Sequence, residues 1–185
     1  MNNQLVILDR DGVINRDSSA YVKTLAEWIP LPGSIEAIAQ LSKAGYQVAI
    51  ATNQAGIGRG ILAAEEVAKM HHHLTQLVTE AGGHLAAIEF CPHHPDDGCA
   101  CRKPQPGMLF AIRDALGIDD MTSAWMVGDS LRDLEAGEAA GTRTALVLTG
   151  NGEKSRQQLS QLQHPERVEV FATLADFSDW LLSKQ

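Results

Sequence analysis

The chain has 185 residues, 44% of them hydrophobic and 21% charged, with a formal net charge of -8. That length suffices for one domain with its own core, and the acidic balance excludes a general nucleic-acid binder, which needs a basic footprint. No apolar run is long enough to span a bilayer, and the start MNNQLVILDRD lacks the basic, then apolar, pattern of a secretory signal, so a cytoplasmic protein with no membrane partner is expected.

Leu5 to Leu8 is a short continuous apolar run, the pattern of a strand buried on both faces of a parallel sheet. Asp9, Asp11 and Gly12 follow it directly. Two carboxylates this close repel unless a cation lies between them, and magnesium takes oxygen ligands of this kind. Asp and Gly are equally the residues of a polar turn, and this stretch alone does not decide between the two. Residues 15–32 read as an irregular loop containing Asp17, Tyr21 and Lys23. Ser34 is the expected N-cap of a helix with Ile35, Ile38, Leu41 and Ala44 at helical spacing, stopped by Gly45. A second strand, Tyr46 to Ala51, delivers Thr52 and Asn53 at its carboxyl end. The glycine-rich loop Gln54 to Gly60 carries Arg59 and opens onto a long helix from Ala63 to Ala81. Its first turn holds Glu65 and Glu66, where the helix dipole favours acids. Its buried stripe is Val67, Met70, Leu74, Leu77 and Val78. His71, His72 and His73 point about 100° apart from one another, cannot share one metal, and are expected to face mostly solvent.

Leu85 to Phe90 is a third strand and residues 91–105 a loop. A helix from Met108 to Leu116 ends at Gly117. Ser123 to Val127 is a fourth strand, followed by Gly128, Asp129 and Ser130. A helix from Leu131 to Ala140 ends at Gly141, and Thr144 to Leu148 is a fifth strand. Residues 150–165 are the most polar stretch and are expected to be mobile. Val168 to Phe171 reads as a last short strand and Leu174 to Leu182 as a closing helix. This alternation predicts an α/β fold with a doubly wound, mostly parallel sheet, in a single domain over residues 1–185 and without an inserted cap.

In such a fold the carboxyl ends of the strands meet at one edge. They bring together Asp9 and Asp11, Thr52 and Asn53, Arg102 and Lys103, and Asp129 with Asp133. Carboxylates for a metal, with cations and donors for phosphate oxygens, suit a phosphoryl group plus magnesium. Each group alone has a plainer reading as a cap or a solvated side chain, but their joint occurrence favours catalysis. The three cysteines fall within residues 91–101. Cys91 and His93, then Cys99 and Cys101, supply three thiolates and one imidazole, the donor set of a closed tetrahedral zinc site. His93 is preferred to His94 for its Cys-x-His spacing. With no open position the metal is expected to be structural, pinning the zinc loop 91–103 that presents Arg102 and Lys103.

The segments DRDGVIN, TNQAG, RKP and GDSLRD resemble the signature segments of the haloacid dehalogenase superfamily of phosphohydrolases, from Leu5 to Leu148. The resemblance implies that Asp9 is the nucleophile and Asp11 the general acid and base. It implies that Thr52 and Lys103 bind the transferring phosphoryl group. It also implies that Asp9, Asp129 and the backbone carbonyl of Asp11 hold magnesium, with Asp133 behind them. CPHHP, CxCRKP, PGML and TNQAGIGRG resemble a capless, zinc-containing branch that acts on a heptose bisphosphate or on histidinol phosphate. The PGML and IGRG segments favour the phosphorylated sugar. Arg102 would then help grip the phosphoryl group, Asn53, Gln54 and Ser130 would line the sugar side, and Asp17 and Arg59 are further substrate candidates. The segment Asp17 to Tyr21 has no counterpart in the pattern. Histidinol phosphate, another small phosphomonoester, and a binding protein that kept the fold remain the alternatives. A pure binder, however, would have no use for the acid–base aspartate. A monomer is expected.

Overall fold

The computed structural model describes residues 4–185. Six parallel strands form one sheet in the order β3-β2-β1-β4-β5-β6. They are β1 (Leu5–Leu8), β2 (Gln47–Asn53), β3 (Ala87–Cys91), β4 (Trp125–Gly128), β5 (Arg143–Val147) and β6 (Val168–Phe171). The strand order reverses between β1 and β4, and a sheet of this kind opens its ligand crevice at that point. Val6 pairs with Val48 on one side and with Trp125 on the other, so β1 is the central strand.

β1 is a continuous apolar run because both of its faces are covered. Val6 and Leu8 face one layer, packed with Ile38 and Leu41 of α1 (Ser34–Lys43), Met70 and Leu74 of α3 (Ala64–Glu80), and Phe177 of α7 (Leu174–Leu182). The short helix α2 (Ala55–Gly58) lies between β2 and α3. Leu5 and Ile7 face the other layer, with Leu109 and Ile112 of α4 (Gly107–Leu116) and Ala136 of α5 (Leu131–Ala140). Trp125, Phe171, Phe177 and Trp180 lock the far end of the first layer by edge-on and tilted contacts with centroids 5.1 to 6.4 Å apart.

Four expectations are corrected. The N-cap of α1 is Gly33, in the left-handed region at φ 79°, and Ser34 is the first helical residue; its hydroxyl instead donates to the carbonyls of Ile14 and Leu31. β2 runs two residues further than Ala51, so Thr52 and Asn53 belong to the strand and are fixed by its ladder with Phe90 and Cys91. Residues 150–165 contain α6 (Gly152–Arg156) and buried Ser155 and Leu162. His71 is buried while His72 is exposed and His73 half-buried. The pattern 67, 70, 71, 74 follows the i, i+3, i+4, i+7 rule for an apolar face, so spacing alone puts His71 on the inner side. Among the described residues no helix is long and apolar enough to cross a membrane.

Candidate active site

Lys103 stands at the centre. It is 1% exposed, and its ammonium reaches the Ala51 carbonyl at 2.6 Å, Asp133 Oδ1 at 2.7 Å and Asp9 Oδ1 at 3.0 Å. An ammonium has three donors, and each has a partner here. Burial alone would lower its pKa, but Asp133 and Asp9 outweigh burial and raise it, so the lysine stays charged. Its loop is set by Asn53. The amide of Asn53 donates to the Lys103 carbonyl at 3.1 Å and its oxygen accepts the Lys103 N–H at 3.0 Å. Asn53, expected on the sugar side, lines the cleft but uses both ends of its amide to hold Lys103.

Asp9 follows β1, and its Oδ1 also accepts the Arg10 N–H at 2.8 Å. Burial, then the carboxylate of Asp133, push its pKa well above the ordinary range, against the pull of Lys103. Asp129 follows β4, and its pKa is driven up to about 7 by burial and Asp133, despite the Asn151 N–H that Oδ2 accepts at 2.8 Å. Asp9, Asp129 and Asp133 can bring one oxygen each within 4.8 Å of one another. Asp133, however, gives Oδ1 to Lys103 and Oδ2 to the Ser130 N–H at 3.1 Å. The carboxylates left for a cation are those of Asp9 and Asp129. An all-oxygen set whose members are hard to ionise side by side fits magnesium. The backbone is tight here: a β-carbon at Gly12 (φ 86°) or at Gly150 (φ 56°) would collide with the Asp129 carboxylate.

Asp11 lies in the same cleft with its carboxylate turned into a web of donors. Asn15 Nδ2 reaches Oδ1 at 2.9 Å and Gln54 Nε2 reaches Oδ2 at 3.0 Å. The same Gln54 amide donates to Thr52 Oγ1 at 2.9 Å. The Thr52 hydroxyl therefore accepts from the protein and keeps its own proton to donate.

The cleft is lined by Asp17, Gln54, Arg59, Arg102 and Ser130, as expected, and by Tyr21, Arg132 and Asn151, which sequence reasoning missed. Arg132 lies within the GDSLRD segment and could have been found there. Asn151 links Asp129 to Asp17, whose Oδ2 it reaches at 3.0 Å, and its polar loop gave no local signal. Tyr21 is the one non-glycine with positive φ (65°) among the described residues, so the unmatched segment Asp17 to Tyr21 lies at the cleft in a strained form. Arg102 has a buried Nη1 with no partner, and burial and the nearby Arg132 both lower its pKa. Among the described residues no carboxylate pairs with its guanidinium. The cleft holds about 290 Å³, at the lower end of small-molecule sites, which run about 300 to 1,000 Å³.

The second cluster leaves β3. Cys91 Sγ lies 3.4 Å from His93 Nδ1, 3.6 Å from Cys99 Sγ and 3.1 Å from Cys101 Sγ. His93 Nδ1 is 3.1 Å from Cys101 Sγ, and the two thiols of Cys99 and Cys101 are 3.6 Å apart. A zinc–sulfur bond of about 2.3 Å gives tetrahedral edges of about 3.8 Å, so four donors this close and unbridged fit a zinc ion at their centre. Burial and the neighbouring thiols push Cys101 up to about 12. Cys99 is brought down to about 7, against burial, by the Arg102 N–H and the other thiols. His94 is not among the gathered donors: its ring Nδ1 accepts from the Asp96 N–H at 3.1 Å.

The parallel sheet, the paired aspartates after its central strand and the buried lysine define a phosphohydrolase of the haloacid dehalogenase type. A family model described as HAD-hyrolase-like matches residues 100–177. The chain is 53% identical over 172 residues to a D-glycero-beta-D-manno-heptose-1,7-bisphosphate 7-phosphatase from Pseudomonas putida, covering 93% of this chain and 95% of that one. It is 50% identical to the Neisseria meningitidis protein of the same name, covering 98% and 96%. The crystal structure of D,D-heptose 1,7-bisphosphate phosphatase from B. bronchiseptica, complexed with magnesium and phosphate, superposes with a TM-score of 0.91 at 46% identity, covering 98% of this chain and 99% of that one. The chain belongs to this family of heptose bisphosphate phosphatases.

Proposed function

We propose that the protein removes the 7-phosphate of D-glycero-β-D-manno-heptose 1,7-bisphosphate, a step toward nucleotide-activated heptose. The observation that carries the reading is Lys103, buried and charged between Asp9 and Asp133 at the mouth of β1. Identity of 50% to 53% to phosphatases of that name supports the substrate. The β anomer is taken from the names of those relatives.

Asp9 attacks phosphorus and forms an aspartyl phosphate, dividing one displacement into two. Asp11 gives its proton to the departing C7 oxygen, then takes one from the water that hydrolyses the intermediate. Thr52 donates its hydroxyl to a phosphoryl oxygen, and Lys103 neutralises the charge that develops there. Asp9, Asp129 and the backbone carbonyl of Asp11 would hold magnesium, which supplies Lewis-acid charge neutralisation. Cys91, His93, Cys99 and Cys101 would hold a structural zinc. The unpartnered Arg102, with Arg59 and Arg132 beside it, suits the second phosphate of a bisphosphate. Histidinol phosphate carries an amine and an imidazole, which would call for acids in those places. The reading includes a single capless domain that works as a monomer in the cytoplasm.

A side-by-side assay of both anomers of the heptose bisphosphate and of histidinol phosphate tests it. The expected kcat/KM preference for the β-bisphosphate over histidinol phosphate is on the order of tenfold or more, about 1.4 kcal/mol of differential transition-state binding. Faster turnover of histidinol phosphate would assign the protein to the alternative.

A further inference from the structure

Two buried side chains behind the cleft take no part in the reaction just described. Arg10, between the two aspartates, is 0% exposed. His71, from the middle of α3, is 9% exposed, with its ring edge-on to Phe90 at 6.0 Å between centroids. A buried guanidinium must be paired on every side, because desolvation is costly. Arg10 is paired in two directions. Forward, Nε and Nη2 donate to Asp11 Oδ1 at 3.1 and 2.9 Å, and Nη2 also lies 3.2 Å from Oδ2. Backward, Nη1 lies 3.2 Å from His71 Nε2. Guanidinium nitrogens only donate, so Nε2 accepts and the imidazole is neutral with its proton on Nδ1. Burial, and then Arg10 itself, hold the His71 pKa down at about 4, in keeping with a neutral ring.

The consequence falls on Asp11. Its Oδ1 receives Arg10 Nε, Arg10 Nη2 and Asn15 Nδ2, which fills that oxygen. Its Oδ2 has the Gln54 amide, tied in turn to Thr52, and the longer Nη2 contact. We propose that His71 and Arg10 form a buried positioning chain for Asp11, fixing its carboxyl rotamer so that Oδ2, and not Oδ1, exchanges the proton with the substrate oxygen and the water. His71 touches no substrate; it acts by holding the guanidinium in the plane that Asp11 needs. The inference rests on the proposed acid–base role of Asp11.

The test compares leaving groups. An alkyl phosphate such as the heptose bisphosphate needs a proton on its departing oxygen, whereas p-nitrophenyl phosphate departs nearly unaided. His71→Leu keeps the volume and removes the acceptor; His71→Gln keeps an acceptor near the position of Nε2. The expected result is a kcat loss of about tenfold for His71→Leu on the alkyl phosphate, within about twofold of wild type on the aryl phosphate, and recovery to within about threefold of wild type on the alkyl phosphate in His71→Gln. The aryl rate also reports the folded, metal-loaded fraction. If His71→Leu does not fold, His71→Asn, too short to reach Arg10, reads the same contrast. Equal losses on both substrates, no loss, or a glutamine no better than the leucine or asparagine would overturn the proposal. Asp11→Asn is assayed in parallel. If it loses both activities equally, the acid–base reading of Asp11 fails; if its loss is selective while His71→Leu is not, only the positioning chain fails.

Discussion

At the scale of single residues, the site is a balance of carboxylates around one lysine, and two predictions follow from how that balance is set. Asp9 is pushed toward its neutral form by burial and by Asp133. Asparagine copies that neutral form but is a poor nucleophile. Asp9→Asn should therefore lower turnover by about a thousandfold or more, and the melting temperature of the magnesium-free protein should not fall; a rate near wild type would remove Asp9 from its role. Asp129 has a folded pKa of about 7 against about 3.9 unfolded. A raised carboxyl binds its proton more tightly when folded, so stability declines as pH rises from the unfolded value through about 7. In magnesium-free buffer the melting temperature should rise as pH is lowered from about 8 to about 6. Added magnesium should stabilise more at the higher pH, because there it displaces no proton. The opposite trend in a thermal scan would show that Asp129 is ionised in the apoprotein.

At the scale of elements, the zinc loop is the case where local sequence was sufficient. Its four donors lie between Cys91 and Cys101, so spacing alone identified them, and the structure gathers the same four. The loop ends in Lys103, whose backbone is clamped to Asn53 of β2, and Gly107 abuts the Ala100 carbonyl so closely that a β-carbon would not fit. A zinc ion held by these four residues would thus fix the approach of the lysine. Cys101→Ser should lower zinc content below one per chain, reduce the melting temperature, and reduce kcat through misplacement of Lys103. Metal analysis of the wild-type protein that found no zinc after chelator-free purification would end this account. What the sequence did not reveal has a common cause. The Asn53–Lys103 clamp, the Asn151 bridge to Asp129 and the Arg10–His71 contact join residues 50, 22 and 61 positions apart. None has a local signature; each exists only once the fold packs β2 against the zinc loop, the end of β4 against the segment after β5, and the end of β1 against α3. The strand order itself was readable only as a class, since alternation gives parallel strands without saying which is central.

At the scale of the whole molecule, the proposed function requires a chain of net charge -8 to bind a substrate with two phosphates. Long-range repulsion is screened within about 8 Å at physiological salt, so the decision is local. The cleft sets five carboxylates, Asp9, Asp11, Asp17, Asp129 and Asp133, against Arg59, Arg102, Lys103 and Arg132. Counted at formal charge the acids exceed the cations by one without a metal, and a bound divalent cation would reverse the sign. Lys103 is used up inside the site, so discrimination between a bisphosphate and a monophosphate falls to Arg59, Arg102 and Arg132 at the cleft. Of these, Arg102 is the one with a buried, unpartnered nitrogen among the described residues, and Arg132 is near enough to lower its pKa. A hydrogen bond to a charged group contributes about 1.5 to 3 kcal/mol. Arg132→Ala should therefore cost roughly tenfold in kcat/KM on the heptose bisphosphate and much less on a heptose 7-phosphate that lacks the anomeric phosphate, with zinc content and melting temperature unchanged. Arg102→Ala should weaken both substrates, because that guanidinium also serves the transferring group. If Arg132→Ala lowered both rates by the same factor, Arg132 would be acting on the phosphoryl centre and the second phosphate would be recognised elsewhere, with Arg59 and the Asp17 to Tyr21 segment as the remaining places on the rim.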